Sequence, residues 1–470
     1  MKIAFLHYHL KTGGVTTVIR QQANAVKDNC DVLIIAGEPP PIDFPVDVTP
    51  IPGLGYDQTL TQSYDPHDVA DAVINAITEK FGGLCDVLHV HNPLLAKNKN
   101  LLTILKRLQE KGIKLFLQIH DFAEDGRPLI YYREDEYPEN CHYGCINSRD
   151  FDILIQSGLT ERGLHKVENV ITPIHYNGPN PPAKEIVVYP IRAIRRKNIG
   201  EATLLTLFFK NNETLMITQP PNSREDIKSY VDWKAYVKQN RLNVVFEAGL
   251  SNDFSELVHA SQYMITTSIS EGFGFSFLEP WTAGKNLWGR ILPEICADFL
   301  HNHIRLEHLY RRLMVPVEWV GHAALEEKWI NCQKEARAFF KQAIVESEIE
   351  DQFHQITAND LIDFGMLDED FQKKVLSRII SSPPDKRRLT RLNPCLSTPG
   401  VEFDTESLIH HNKDAVMSHY NPENYAEKLM AVYSKVMNRS VRHRIDKTVL
   451  LSRFMVSKYF NLLKWSRYIE

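Results

Sequence analysis

Short, almost wholly apolar runs recur along this chain, each followed by a longer segment with apolar residues at helical spacing. Runs of that kind are parallel strands whose sheet is covered by helices on both faces. The candidate strands are Lys2–Tyr8, Asp31–Ala36, Asp86–Val90, Lys114–Ile119, Asp152–Gln156 and Val170–Ile174, with helices over Gly14–Lys27 and Asn98–Lys111. The segment His175–Lys184, HYNGPNPPAK, then interrupts the rhythm with the composition of a linker. Beyond it the alternation restarts, with strands Glu185–Tyr189, Thr214–Thr218, Val244–Glu247 and Tyr263–Ile269, and helices Ile199–Phe209, Arg224–Gln239 and Asn252–Ala260.

Two such arrays in 470 residues predict an α/β protein of two doubly wound, Rossmann-like domains facing a cleft. The expected domains are 1–180 and 184–430, the second carrying a mostly helical, charged insertion over about 300–415 with loop signals at Ser381–Asp385 and Asn393–Gly400. Residues 431–470 are expected to form C-terminal helices that cross back to the first domain; Thr448–Trp465 could alternatively touch a membrane surface.

A net charge of −5 gives no support to nucleic-acid binding. No apolar run is long enough to span a bilayer. The opening MKIAFLHYHLKTGG reads as a first buried strand rather than a signal peptide. Seven scattered cysteines point to a reducing cytoplasm.

The segment Ser270–Glu279, SEGFGFSFLE, places two carboxylates around a Gly-Phe-Gly turn after a buried strand. Phe275–Ala283 reads as a helix, so the N–H groups of Phe273–Phe275 are expected at its N-terminus, where a phosphate is favoured. Gly272 and Gly274 let a ligand approach the backbone. Arg192 and Lys197, five apart in YPIRAIRRKN with Arg195 and Arg196 between them, offer further positive charge. A carboxylate acceptor beside a phosphate cradle is what a sugar joined to a diphosphate requires. The bland alternatives are an ordinary basic loop and a solvated helix carboxylate at Glu279, although its apolar neighbours Phe275, Phe277, Leu278 and Trp281 argue for burial.

Glu271–Glu279 with its EGFG start resembles the paired-glutamate motif of retaining, nucleotide-sugar-dependent glycosyltransferases of the GT-B fold, the large family 4 type. Gly13-Gly14-Val15 resembles that family's glycine turn, Tyr189–Asn198 its diphosphate-binding segment, and Ser418–Val436 a helix near its C-terminus. The resemblance implies a hexosyltransferase that uses UDP-glucose or GDP-mannose and retains the anomeric configuration, with no metal and no cofactor. It gives Glu271, Arg192, Lys197 and His120 catalytic positions. Gly14, Gly272, Phe273, Gly274, Phe275, Glu279 and Arg196 would bind donor, Glu271 accepting from the hexose and Glu279 holding the ribose. Gly13, His91, Asp121 and Arg127 would line the acceptor side. The acceptor implied is a hydroxyl of a small polar molecule, a saccharide or a lipid, and the setting is cytoplasmic with room for peripheral contact at the inner face of a membrane. A phosphorylase or epimerase on the same fold, or a non-catalytic sugar-nucleotide binder, are the rival readings.

The chain departs from the pattern at Thr218-Gln219-Pro220-Pro221 and after Glu279, which leaves the nucleotide open. Cys141, His142 and Cys145 lack the second ligand pair of a zinc site. His89 and His91 lack a third ligand. Asp368-Glu369-Asp370 resembles the aspartate motif of metal-dependent glycosyltransferases, but at a helix start it reads as acidic capping.

Overall fold

The computed structural model describes residues 1–41, 43–178, 184–210, 212–397 and 405–466. Part of the expected linker, and the end of the loop signal at Asn393–Gly400, lie outside the described residues. The chain forms two compact units: Met1–Val170 with His419–Phe454, and Ile171–Ser418 with Met455–Glu470.

In the first unit the strands are β1 (Lys2–His7), β2 (Asp31–Ala36), β3 (Val48–Pro50), β4 (Val87–His91), β5 (Leu115–Gln118), β6 (His142–Cys145) and β7 (Leu164–Lys166). They make one parallel sheet in the order β3-β2-β1-β4-β5-β6-β7. Strand alternation sends successive β1 side chains to opposite faces. Ile3 and Phe5 join the core under helices Gly14–Val26 and Pro422–Asn438, whereas Ala4 and Leu6 join the core under Pro66–Phe81, Leu101–Glu110 and Ser148–Gln156.

The second unit repeats the plan with β8 (Ile186–Arg192), β9 (Thr214–Gln219), β10 (Val244–Val245), β11 (Tyr263–Thr266) and β12 (Leu287–Gly289), in the order β10-β9-β8-β11-β12 and all parallel. In each sheet the chain direction of winding reverses beside the first strand, between β1 and β4 and between β8 and β11. In open α/β sheets such reversal points, at the carboxyl ends of the strands, are where ligands bind.

Three expectations are corrected. Asp152–Gln156 belongs to a helix, Ser148–Gln156, because the Asn147 side chain accepts from the Asp150 N–H and caps it. Val170–Ile174 is not a strand; β7 has already taken the sheet edge, and Pro173 has no N–H to donate. The loop signal at Ser381–Asp385 is only a one-residue break between helices Glu369–Ser381 and Pro383–Leu392, the prolines sitting at the tolerated first positions of the second helix.

The expected domain limits also differ from the units. Residues 419–430 lie in the first unit, not the second, because the apolar stripe of helix Pro422–Asn438 (Tyr425, Leu429, Val432, Tyr433, Val436) completes the first core. Of 431–470, only the part up to Phe454 stays there. Met455–Glu470 belongs to the second unit, where Trp465 stacks on Phe460 at 5.2 Å and Phe460 meets Trp329 at 5.0 Å. The 300–415 segment is helical as expected, with one antiparallel pair, β13 (Met314–Pro316) and β14 (Leu361–Asp363). Asp368 is an N-cap, accepting from the Phe371 N–H.

Candidate active site

In the second unit, β8 runs out at Arg192 and a single 3-10 turn, Arg195–Lys197, follows. Asn198 then adopts a left-handed conformation (φ 55°), and its side chain accepts from the Glu201 N–H to start the next helix. The loop after β11 is tied to this turn. Tyr189 donates its hydroxyl to the Lys197 carbonyl at 2.8 Å, and Thr267 donates to the carbonyls of Lys197 and Asn198, each at 3.0 Å. The Ile269 N–H reaches the Arg196 carbonyl at 3.0 Å.

This lacing brings Lys197, Arg196 and Glu271 close together. The Lys197 ammonium forms an ion pair with buried Glu271. Burial acts to raise the Glu271 carboxyl pKa, but the charges of Lys197 and Arg196 outweigh it and hold the group below its usual range. Arg196 donates weakly to the Ser270 carbonyl at 3.4 Å, while its buried Nε has no partner among the described residues. Among the described residues Arg192 reaches the Pro220 carbonyl alone, at 3.4 Å. The Arg195 guanidinium is turned away from them: it holds Glu369 through bonds of 2.6 and 2.8 Å.

The expected helix after the Gly-Phe-Gly turn is broken. One 3-10 turn, Phe275–Phe277, is followed by the four-residue helix Glu279–Thr282, with Pro280 in its first turn. So short an element has little dipole to offer an anion, and the cationic side chains carry that task. Gly274 is required by geometry: its φ is 94°, and a Cβ would lie 2.9 Å from Phe277 Cδ2.

Glu279 is half-buried and within electrostatic reach of Lys197 and Glu271. Burial pushes its carboxyl up to about 7; Lys197 opposes that shift and Glu271 adds to it. An unfolded glutamate titrates near 4.3. As pH rises through the interval between these values, the native chain keeps a proton that the unfolded chain has lost, so stability falls. Glu279→Gln should therefore raise Tm relative to the parent more at pH 8 than at pH 5. A Tm difference independent of pH would refute the raised carboxyl.

In the first unit, His120 follows β5 and is buried. Burial pushes its imidazole down to about 4, against the opposite pull of Asp121, so the ring is neutral at physiological pH. Its nitrogen Nε2 lies 2.9 Å from His91 Nδ1, at the end of β4. The buried His91 Nε2 has no hydrogen-bond partner among the described residues. Asn92, which sequence reasoning passed over, positions the turn: its side-chain oxygen accepts from the N–H groups of His120 at 2.7 Å and Asp121 at 3.1 Å. The left-handed φ of 53° at Asn92 was legible only as an Asn-Pro pair. Asp121 pairs with Arg127 at 2.8 Å. His89 turns inward to Gln118 at 2.8 Å and the Tyr433 hydroxyl at 2.9 Å, a structural role.

Gly13 and Gly14 begin helix Gly14–Val26, where no side chain caps the first turn. A Cβ at Gly14 would meet nothing within 4 Å, so packing does not demand glycine there. Cys141, His142 and Cys145 are buried in and beside β6; His142 bonds His165 at 2.9 Å and the Arg439 carbonyl at 2.9 Å. No helix among the described residues is long and apolar enough to cross a membrane.

No protein-family model matches the chain. It is similar to mannosylglucosyl-3-phosphoglycerate synthase of Petrotoga mobilis, 27% identical over 413 residues, which cover 78% of this chain and 79% of that protein. Among solved structures it resembles sucrose-phosphate synthase from Thermosynechococcus elongatus with a TM-score of 0.54 at 12% identity, over 93% of this chain and 98% of that one. It also resembles Anabaena Alr3699/HepE in complex with UDP and glucose, with a TM-score of 0.53 at 12% identity, over 92% and 99%. At such identities the structural likeness is one of fold.

Proposed function

We propose that this chain, a glycosyltransferase of the GT-B fold, moves a hexose from a nucleoside diphosphate sugar to a hydroxyl acceptor, with retention at the anomeric carbon and without a metal. The observation that carries the reading is the cluster of Lys197, Arg196 and Glu271 beside Glu279 at the carboxyl edge of β8 and β11. Breaking a glycosyl–phosphate bond builds negative charge on the leaving diphosphate, and fixed cations there stabilise the transition state. Lys197, Arg196 and Arg192 supply that charge, and the Arg196 Nε, unpartnered among the described residues, is a donor available to an acceptor.

Glu271, ionised and anchored by Lys197, accepts from hexose hydroxyls, and Glu279 takes the ribose diol. The Gly272–Phe275 turn lets the sugar lie close to backbone. Because Glu271 is already paired, we assign it no covalent role. The acceptor oxygen bonds the anomeric carbon on the face from which phosphate departs, and the departing phosphate oxygen takes the acceptor proton. In the first unit, His120 orients the sugar as a neutral imidazole, Gly13 and Gly14 admit close approach, and His91, Asp121 and Arg127 line the acceptor side.

The Petrotoga relative's name describes a product with mannosyl and glucosyl groups on 3-phosphoglycerate. GDP-mannose with glucosyl-3-phosphoglycerate is thus the first pair to try, and UDP-glucose the competing donor. UDP or GDP should raise the Tm of the full chain, and nucleotide release should require acceptor, with the product anomer read by NMR. Phosphate-dependent cleavage of a glycoside would point to a phosphorylase. If neither nucleotide stabilises the chain, the donor assignment is wrong.

A further inference from the structure

Four loops leave the carboxyl ends of β1, β2, β3 and β4 in the first unit, and they bring His9, Glu38, Tyr56 and Lys97 close together. The Lys97 ammonium donates to the Tyr56 hydroxyl at 2.9 Å and lies 4.7 Å from the centre of that ring. The Tyr56 ring stands 4.8 Å from His9, which lies 5.6 Å from His7. His7 in turn borders the His91–His120 pair at 6.3 Å.

The charges around this group do not cancel. Glu38 is taken by Lys11 at 2.6 Å, and Asp121 by Arg127 at 2.8 Å. Lys97 is half-buried, yet among the described residues its ammonium has only a neutral phenol and an aromatic face for company. An ammonium removed from water without a carboxylate is costly. The local field is positive enough to be felt by its neighbours. Burial lowers the pKa of His9, and the charges of Lys97 and Lys11 lower it further, with Glu38 opposing them. Burial likewise lowers that of Lys97, with Arg127 adding to the shift and Asp121 opposing it. A bound anion would remove the imbalance.

We infer that Lys97, held against Tyr56 among the loops that leave β1 to β4, seats a phosphate monoester carried by the acceptor. This rests on the reading of the first unit as the acceptor side. A phosphate suits the place better than a neutral sugar because a compact ammonium binds it as a point charge. The phenol and imidazole at its side can add hydrogen bonds.

Calorimetric titration of the full chain with 3-phosphoglycerate, inorganic phosphate and glycerate tests the assignment. Glycerate keeps the carboxylate and lacks the phosphate, so it separates the two anions. The first two should bind, with glycerate at least tenfold weaker. Lys97→Met should weaken 3-phosphoglycerate at least tenfold, and Lys97→Arg should restore most of the loss. Equal binding of 3-phosphoglycerate and glycerate, no binding of either, or an unchanged Kd in Lys97→Met would overturn the inference. The parent-chain comparison decides even if the Met variant does not fold. UDP and GDP titrated into the same protein keep the two ideas apart. Nucleotide binding without phosphate discrimination removes only this subsite, and phosphate discrimination without nucleotide binding removes the donor assignment.

Discussion

Glu271→Gln should lower kcat for hexosyl transfer by roughly 10²–10³-fold, a loss of about 3–4 kcal/mol of transition-state stabilisation. Glutamine keeps the shape of glutamate, so the change isolates the charge. In the parent, Glu271 is buried and ionised, pinned by the Lys197 ammonium. Its two oxygens can accept from sugar hydroxyls, and its charge favours the positive character that develops on the departing sugar. The amide loses that charge and replaces one acceptor with a donor. Lys197 and Arg196 would then face the diphosphate uncompensated, so nucleotide affinity should hold or tighten while turnover falls. That split is the diagnostic result. A folding defect alone would lower the active fraction without tightening UDP or GDP. The stability cost should be about 1–3 kcal/mol, since the glutamine oxygen can still accept from Lys197. Turnover within a factor of two of the parent would remove Glu271 from the mechanism.

Arg290→Met should destabilise the second unit by about 3–5 kcal/mol. Arg290 follows β12, is buried, and grips two carboxylates in bidentate fashion. Its bonds to Glu201 measure 2.9 and 2.6 Å, and those to Asp363 measure 2.7 and 2.8 Å. Tyr310 and Asn198 donate to the same Glu201, each at 2.8 Å. The network therefore joins the parallel sheet to β14 of the 300–415 segment and to the residue directly after Lys197. Removing the guanidinium leaves two carboxylates facing each other with their strongest partner gone. Denaturant unfolding should show the midpoint drop, and a Glu201→Gln/Asp363→Asn background should recover part of it by removing the stranded charge. If the single variant unfolds like the parent, the network is not a significant source of stability.

The fold is largely legible in the sequence. Near-continuous apolar runs such as Lys2–Tyr8 and Tyr263–Ile269 mark buried parallel strands, and β1 and β11 formed inside them. Arg224–Gln239 formed with the expected limits, because Ser223 caps it and accepts from the Asp226 N–H. The second-unit cluster was legible for the same reason: its residues sit just past strand ends, where a parallel sheet gathers its loops. Asp152–Gln156 was misread because a short apolar run has no periodicity of its own, and the deciding Asn147 cap lies outside it.

Local pattern thus determines strands, caps and the ends at which chemistry gathers, because each depends on neighbours a few residues away. Which cations keep their charge for a ligand is settled only by the packed chain. Arg195 is consumed by Glu369, 174 residues away, while Arg196 beside it keeps an Nε unpartnered among the described residues. Among the described residues Lys97 pairs with no carboxylate, while nearby Glu38 and Asp121 hold Lys11 and Arg127. The return of Met455–Glu470 to the second unit is likewise a matter of where Trp329 and Phe460 meet. Such pairings join residues far apart in sequence, and only the folded arrangement places their charges and apolar surfaces within reach of one another.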